Sequence, residues 1–254
     1  MDLSLINRRV IITGGSSGIG RASALAFAAE GARVGILSRD EAGIDATVSL
    51  ARESGHQIAW ALADITDDRQ LTSALNTLAA EIGGLDSLVH CAAISGPVGR
   101  ALDEISLDEI RMTVDINLVG AFAVAKAGLP HLTRATDATF VMIGSDSAFV
   151  ASPDMVVYNA TKAAIVHMAR SLAVEWEARG IRVNTVSPSI VDTPMSRGDL
   201  GLEATGFVGV DYPVLTADDV ARAVVYLSST ASRGVNGHSL TMDFGYSAKS
   251  SFPA

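Results

Sequence analysis

The chain is poor in cysteine, in aromatic residues and in charge. Its 254 residues include a single cysteine, Cys91, and only 5% aromatic and 19% charged residues. One thiol cannot form an internal disulfide, so the cysteine content gives no sign of secretion. Because 48% of the residues are hydrophobic, the composition excludes an intrinsically disordered chain. This length fits one large α/β domain, or two small ones.

Signals for targeting, for a membrane and for a polyanionic partner are also missing. Met1-Asp2-Leu3-Ser4 has no basic flank followed by an apolar core, so we expect no signal peptide. No apolar run approaches the roughly 20 residues of a membrane helix, so we expect no membrane partner. The net charge of -9 repels phosphate backbones, so we expect no nucleic-acid partner. These absences predict a cytoplasmic protein.

Short β-branched runs alternate with longer segments of helical periodicity almost to the end of the chain. Several of these runs are continuously apolar, as in Val10-Ile11-Ile12, which is typical of strands covered on both faces. The alternation predicts an α/β fold, a doubly wound, Rossmann-like parallel sheet with helices on both faces and right-handed crossovers. We expect a single domain spanning residues 1–254. The predicted strands are 9–13, 33–38, 57–62, 87–92, 139–144, 182–187 and 239–243.

One stretch, residues 189–215, is rich in glycine and shows no periodicity. Long irregular segments in compact domains are usually lids or binding loops. We therefore expect a substrate loop or lid here, and an insertion without a binding role is the alternative.

A glycine-rich loop joins the first predicted strand to the following helix. It is Thr13-Gly14-Gly15-Ser16-Ser17-Gly18-Ile19-Gly20, whose G-x-x-x-G-x-G spacing differs from the G-x-G-x-x-G dinucleotide fingerprint. Glycines allow the backbone to approach a pyrophosphate, and a helix N-terminus supplies N–H donors. The loop predicts a dinucleotide cofactor; the alternative is a tight turn without a ligand. The candidate contacts are Gly14, Ser16, Ser17, Gly18, Ile19 and Gly20.

The end of the second predicted strand indicates which dinucleotide is bound. About 20 residues after the glycine loop, an acid would bind the ribose 2′-hydroxyl of NAD and repel the 2′-phosphate of NADP. Here the strand ends Ser38-Arg39, and a guanidinium pairs well with a phosphate. Asp40 follows directly and weakens the argument, and an ordinary solvated arginine is the alternative. We expect NADP(H).

Tyr158 and Lys162 lie four residues apart within a predicted helix that runs to about residue 179. This spacing places both side chains on one helix face, about 6 Å apart along the axis. An ammonium beside a phenol favours the phenolate, so we expect the Tyr158 pKa to lie below its ordinary value of roughly 10. The pair predicts a proton-exchanging tyrosine, although Y-x-x-x-K alone is also common on helix surfaces.

Together with their order on the chain, these motifs resemble the short-chain dehydrogenase/reductase family over residues 5 to about 247. The resemblance implies a serine thirteen residues before the tyrosine that orients the substrate carbonyl. Ser145 has this position, and Ser147 is a nearby rival. Asn117 matches the family asparagine that supports a proton relay through water. The resemblance also implies a homo-oligomer, most commonly a tetramer.

Further cofactor contacts follow from the same resemblance. Asp64 matches an aspartate that contacts the adenine ring, and residues 190–193 match a segment that grips the nicotinamide carboxamide. The sequence departs from the family at His90-Cys91-Ala92-Ala93, where Asn-Asn-Ala-Gly is usual, and at Asp243-Phe244-Gly245, where Asp-Gly-Gly is usual. The additional candidate contacts are Asp64, Ile65, Cys91, Ala92, Tyr158, Lys162, Pro188, Ile190, Val191 and Thr193.

The sequence therefore predicts an NADP(H)-dependent oxidoreductase that interconverts a ketone or aldehyde and an alcohol, with Tyr158 as general acid or base. A non-catalytic NADP(H) sensor or interaction protein on the same fold is the alternative, and a dehydratase or epimerase relative is another. We expect a small-molecule partner, apolar or moderately polar because few charges lie near the catalytic residues. The histidines share no ligand-like spacing, so we expect no metal.

Overall fold

The fold is organised around one seven-stranded sheet in a computed structural model that describes residue 3 and residues 5–249. The strands are β1 (Arg9–Thr13), β2 (Arg33–Ser38), β3 (Ile58–Leu62), β4 (Ser87–His90), β5 (Ala138–Ile143), β6 (Ile181–Pro188), β7 (Val191–Asp192), β8 (Leu215–Thr216) and β9 (Ser239–Met242). The large sheet has the order β3-β2-β1-β4-β5-β6-β9 with every pair parallel, and β7 and β8 form a separate pair. The predicted doubly wound, Rossmann-like fold is confirmed.

Helices cover both faces of the sheet. They are α1 (Gly18–Ala29), α2 (Glu41–Glu53), α3 (Asp68–Ile82), α4 (Leu107–Val114), α5 (Gly120–Leu132), α6 (Val156–Glu175), α7 (Pro194–Asp199) and α8 (Ala217–Leu227). On one face α1, α2 and α8 bury Phe27, Ile44 and Val224 against the strands. On the other face α3, α5 and α6 bury side chains such as Leu75 and Val124. The continuously apolar strands are thus covered on both sides, as their sequence requires.

The helical region Leu107–Leu132 differs from the expectation that no apolar segment is long enough to cross a membrane. Its 26 residues include a window of mean hydropathy 1.3, so by length and composition it is long and apolar enough to cross a membrane. The expectation that no apolar segment approaches the length of a membrane helix is therefore wrong. Core helices of soluble proteins meet the same criteria, and this region packs against α3 and α6, so it is weak evidence for a membrane span.

Two local features place the candidate site at the carboxyl edge of the sheet. Strand β4 ends at His90, before the predicted residue 92, so Cys91 and Ala92 lie in the loop above the edge. Residues 189–215 are less irregular than expected, because β7 pairs with β8 and α7 lies between them. The β7–β8 pair fixes both ends of this segment beside the carboxyl end of β6.

Candidate active site

A cleft of about 940 Å³ lies at the carboxyl edge of the sheet. Its size is within the usual range for a small-molecule or cofactor site. It is lined by the glycine loop, the ends of β2, β4, β5 and β6, the start of α6 and the segment 189–215. Of the site residues predicted from the sequence, all except Asn117 line this cleft. The fold thus brings together residues that are distant in the chain.

The glycine loop is packed so closely that side chains would not fit. Gly14 has φ +69, and a Cβ there would lie 2.8 Å from the Ala92 backbone nitrogen. A Cβ on Gly20 would lie 2.1 Å from the Gly14 carbonyl oxygen. Glycine at these two positions therefore lets the loop pack against the chain after β4 and against the start of α1.

The N-terminus of α1 is open toward the same cleft. Ser17 is its N-cap residue but makes no side-chain capping hydrogen bond, and the first turn contains no acid. In contrast, α2 and α3 are capped by Asp40 and Asp67 and carry acids in their first turns. Among the described residues, the first N–H groups of α1 thus have no side-chain acceptor, and the helix dipole favours an anion there. A cofactor pyrophosphate fits this arrangement.

The predicted ribose contacts lie at the end of β2. The Ser38 hydroxyl donates to Ser16 Oγ at 3.0 Å, which joins the strand end to the glycine loop. Arg39 is 61% exposed, and its Nη1 lies 3.7 Å from Asp64 Oδ2. The Asp64 pKa is lowered, mainly by the Thr66 backbone N–H, with Arg39 contributing. A phosphate bound by Arg39 would therefore compete with a carboxylate that is already present.

Ser145, Tyr158 and Lys162 meet at the junction of β5 and α6. Ser145 is buried, accepts from the Ser147 backbone N–H at 3.1 Å and lies close enough to the Tyr158 phenol to lower its pKa. The Lys162 Nζ donates to the Ile143 carbonyl at 2.9 Å and lies 5.5 Å from the Tyr158 ring centroid. The structure thus places Ser145 against the phenol and uses the Ser147 backbone to hold it.

The protonation of this group differs from the sequence-based expectation. Burial raises the pKa of Tyr158 to about 12; the hydrogen bond with Ser145 lowers it, and the Asp199 and Asp146 carboxylates raise it further. The expected lowering of this pKa is therefore wrong, because loss of hydration is the largest effect and two carboxylates add to it. Burial also lowers the pKa of Lys162 to about 8.

Asn117 lies behind the cleft rather than in it. It belongs to a π-helical segment, Asp115–Val119, between α4 and α5, and such segments are frequent at functional sites. Its amide oxygen accepts from the Ile94 N–H at 2.9 Å, and its amide nitrogen donates to the Ile94 carbonyl at 2.8 Å and to Thr161 Oγ1 at 3.2 Å. The side chain therefore fastens the loop after β4 to α6.

His90 and Cys91 replace the usual family residues with groups that stay uncharged. The His90 ring Nδ1 lies 2.8 Å from Thr13 Oγ1, which joins β4 to β1 beneath the glycine loop. Burial, with a smaller effect of Lys162, lowers the pKa of His90 to about 3. Burial raises the pKa of the Cys91 thiol to about 12, so it is not a nucleophile near neutral pH.

The sequence did not single out two groups at the substrate end of the cleft. Asp199, at the end of α7, accepts from the Ser95 hydroxyl at 2.7 Å and so links two loops that flank the cleft. Asp146 accepts from the Ser145 hydroxyl at 3.1 Å. No spacing rule connects residues 95 and 199, because the contact depends on how both loops fold over the sheet edge.

Comparison with known proteins agrees with this geometry. A family model described as enoyl-(acyl carrier protein) reductase matches residues 14–247. The chain is 33% identical to a cis-4-hydroxycyclohexanecarboxylate dehydrogenase of Sinomonas cyclohexanicum over 98% of this chain and 100% of the relative. It is also 33% identical to a D-threitol dehydrogenase of Mycolicibacterium smegmatis, over 98% and 96% of the two chains.

A solved structure is similar in the same way. A short-chain dehydrogenase from Burkholderia cenocepacia in complex with NADP superimposes with a TM-score of 0.85 at 32% identity, covering 96% of this chain and 99% of that one. The fold and the site define a nicotinamide-dependent oxidoreductase class. This chain belongs to the short-chain dehydrogenase/reductase family.

We predict that Tyr158 stays protonated well above its ordinary pKa of roughly 10. A raised pKa favours the neutral phenol at every pH below it, so tyrosinate should form at Tyr158 only near pH 12. Spectroscopic pH titration of the wild-type protein, with that of Tyr158→Phe subtracted, isolates this residue. Ionisation of Tyr158 between pH 6 and 9 would show that its surroundings are more polar than described.

Proposed function

We propose that this protein is an NADP(H)-dependent oxidoreductase that interconverts a ketone or aldehyde and an alcohol. The observation that carries the proposal is the contact of Ser145, Tyr158 and Lys162 in the same cleft as an uncapped helix N-terminus and its glycine loop. The first three supply a proton near a substrate oxygen, and the loop holds a dinucleotide. The related dehydrogenases are named for alcohol substrates, which supports the reaction class.

Each side chain of the site has a separate role in carbonyl reduction. A nicotinamide dinucleotide bound along the sheet edge supplies the hydride. Ser145 orients the carbonyl oxygen through its hydroxyl, and Tyr158 delivers a proton to that oxygen. Because its pKa is about 12, Tyr158 is fully protonated at neutral pH and is ready to act as an acid. In the oxidative direction the same phenol has to lose its proton, which is harder at low pH.

Lys162 has a supporting role for two reasons. Its amine is buried beneath Tyr158, and with a pKa of about 8 it is mostly charged at neutral pH. A buried cation near the phenol stabilises the phenolate that forms after proton transfer. We also assign it contacts with the nicotinamide ribose, because it lines the same cleft as Cys91 and Tyr158. A proton relay through Asn117 remains part of the proposal.

We predict that NADPH binds more tightly than NADH by about 1–3 kcal/mol, the contribution of a hydrogen bond to a charged group. Ser38 and Arg39 carry no negative charge toward the ribose, and the Arg39 guanidinium is accessible. Calorimetric titration of both cofactors measures the difference. Arg39→Gln should remove most of it, whereas Arg52→Gln at the far end of α2 should not. An unaltered preference in Arg39→Gln would contradict the role of Arg39.

We predict that Tyr158→Phe lowers turnover by a factor of about 10²–10⁴, the usual contribution of a positioned general acid. NADPH affinity should change little, since only one hydroxyl is removed. Lys162→Ala should weaken both turnover and cofactor binding. Ser145→Ala should lower turnover, while Ser147→Ala should have little effect because its backbone N–H, not its hydroxyl, holds Ser145.

Steady-state carbonyl reduction and cofactor titration on the same four variants give these numbers. Near wild-type turnover in Tyr158→Phe, with an intact cofactor site, would show that Tyr158 is not the general acid. A protein that binds NADPH without reducing any carbonyl would instead be a sensor.

We predict a homo-oligomer, a tetramer as in the family. Helix α6 carries apolar residues on more than one face, but they are buried within one chain and do not mark a subunit contact: Ile165, Val166, Met168, Ala169 and Leu172. Met112, Val119 and Phe122 on the Leu107–Leu132 helix are instead about half exposed. Such an apolar surface indicates a contact with another chain. Sedimentation equilibrium should give four times the chain mass, and a stable monomer at micromolar concentration would contradict the prediction.

A further inference from the structure

The positive charges that line the cleft are unevenly distributed, whereas carboxylates lie at both ends, with Asp40 and Asp64 close to Arg39. The only lysine or arginine side chains of the cleft, within the part of the chain that the structure describes, are Arg39 and Lys162. Arg39 follows β2, three strands from β5 in the sheet, which is about 14 Å at the spacing of neighbouring strands. The Lys162 amine is buried under the Tyr158 ring and held by the Ile143 carbonyl. Neither cation faces the region beyond Tyr158 where a substrate has to extend.

Two carboxylates lie in that region instead. Asp146 and Asp199 both line the cleft, and both are close enough to Tyr158 to raise its pKa. Asp146 accepts the hydroxyl of its neighbour Ser145 on Oδ1, and Asp199 accepts the Ser95 hydroxyl, from a loop on the other side of the cleft, on Oδ1. The second oxygen of Asp199 has no donor among residues 5–249. It is therefore free to accept a hydrogen bond from a ligand.

The surroundings of Asp199 strengthen its effect. Although the residue as a whole is exposed, partial burial of its carboxylate raises its pKa while the Ser95 hydrogen bond lowers it. Charges that are partly removed from water interact more strongly than charges in bulk solvent. An anionic group on a substrate would meet this carboxylate without a compensating cation. A hydroxyl group would find an acceptor.

We propose that Asp199 is the specificity-determining residue of the substrate end, selecting neutral, hydroxyl-bearing carbonyl substrates and rejecting those that carry a carboxylate. This inference rests on the proposed function, since it names the substrate class of the same cleft. Discrimination of this kind combines an attractive contact for one ligand with a repulsive one for its competitor. Ser95 is a positioning residue, because it fixes the orientation of the carboxylate.

The test compares two ketones that share a ring, 4-hydroxycyclohexanone and 4-oxocyclohexanecarboxylate. The wild-type protein should reduce the hydroxy ketone with the higher kcat/KM. Asp199→Asn is isosteric, keeps an acceptor for Ser95 and removes the charge, so the kcat/KM ratio should move toward the carboxylate by about tenfold. A change in the Tyr158 pKa would affect both ketones and cancels in this ratio.

Glu203→Gln is the matched control. It removes one negative charge from the same segment, at an exposed position that does not line this cleft. The kcat/KM ratio should be unaltered in this variant. Raising the salt concentration should weaken the discrimination by the wild-type protein, because ions screen the repulsion. This measurement needs no variant and so remains informative if Asp199→Asn folds poorly.

A binding measurement separates this inference from the proposed reaction. Calorimetric titration of NADP⁺-saturated protein with cyclohexanol and cyclohexanecarboxylate should show carboxylate binding that improves about tenfold in Asp199→Asn. If no ketone is reduced but this shift is found, the reaction is wrong and the role of Asp199 stands. If reduction occurs with an unaltered ratio, or if neither ligand binds either protein, the role of Asp199 is overturned.

Discussion

The buried amine of Lys162 is the group on which the geometry of the cleft depends. It is 4% exposed and donates to the last carbonyl of β5, so it fixes the start of α6 against the sheet edge. Tyr158, one helical turn earlier, is held on the same face. The same cation acts on the end of β4, where it contributes to the lowered pKa of His90. One buried charge thus connects three elements that the chain supplies separately.

The alternation of apolar runs and helical segments was sufficient to predict the fold, because parallel strands covered on both faces leave few other topologies. The spacing from Tyr158 also predicts Ser145, which lies close enough to the phenol to lower its pKa; its catalytic role stays a prediction. The direction of the Tyr158 pKa shift could not be obtained in this way. Helical spacing gives the distance to Lys162, but burial depends on loops folded from elsewhere in the chain.

The hydrogen bonds of Asn117 and His90 could not be predicted either, because they too depend on how distant segments fold together. The motif located Asn117, but its hydrogen bonds to Ile94 depend on the π-helical segment, which carries no clear sequence signal. His90 was recognised only as a departure from the family pattern. Its contact with Thr13 follows from the β1–β4 register, in which these two residues are direct partners. Histidine in place of the usual asparagine at the end of β4 is therefore compatible with the closely packed glycine loop above it.

The small number of cations in the cleft suits a polyanionic cofactor whose phosphates are bound mainly by backbone N–H groups. A net charge of -9 would oppose such a ligand if binding depended on side-chain cations. The glycine loop and the α1 N-terminus offer backbone N–H groups and a helix dipole, which attract phosphate without any formal charge. In the proposed function only Arg39 and Lys162 are then needed along the cofactor, and no cation is required beyond Tyr158. The substrate end is therefore free to carry Asp146 and Asp199, and its acidity does not compete with cofactor binding at the other end of the sheet edge.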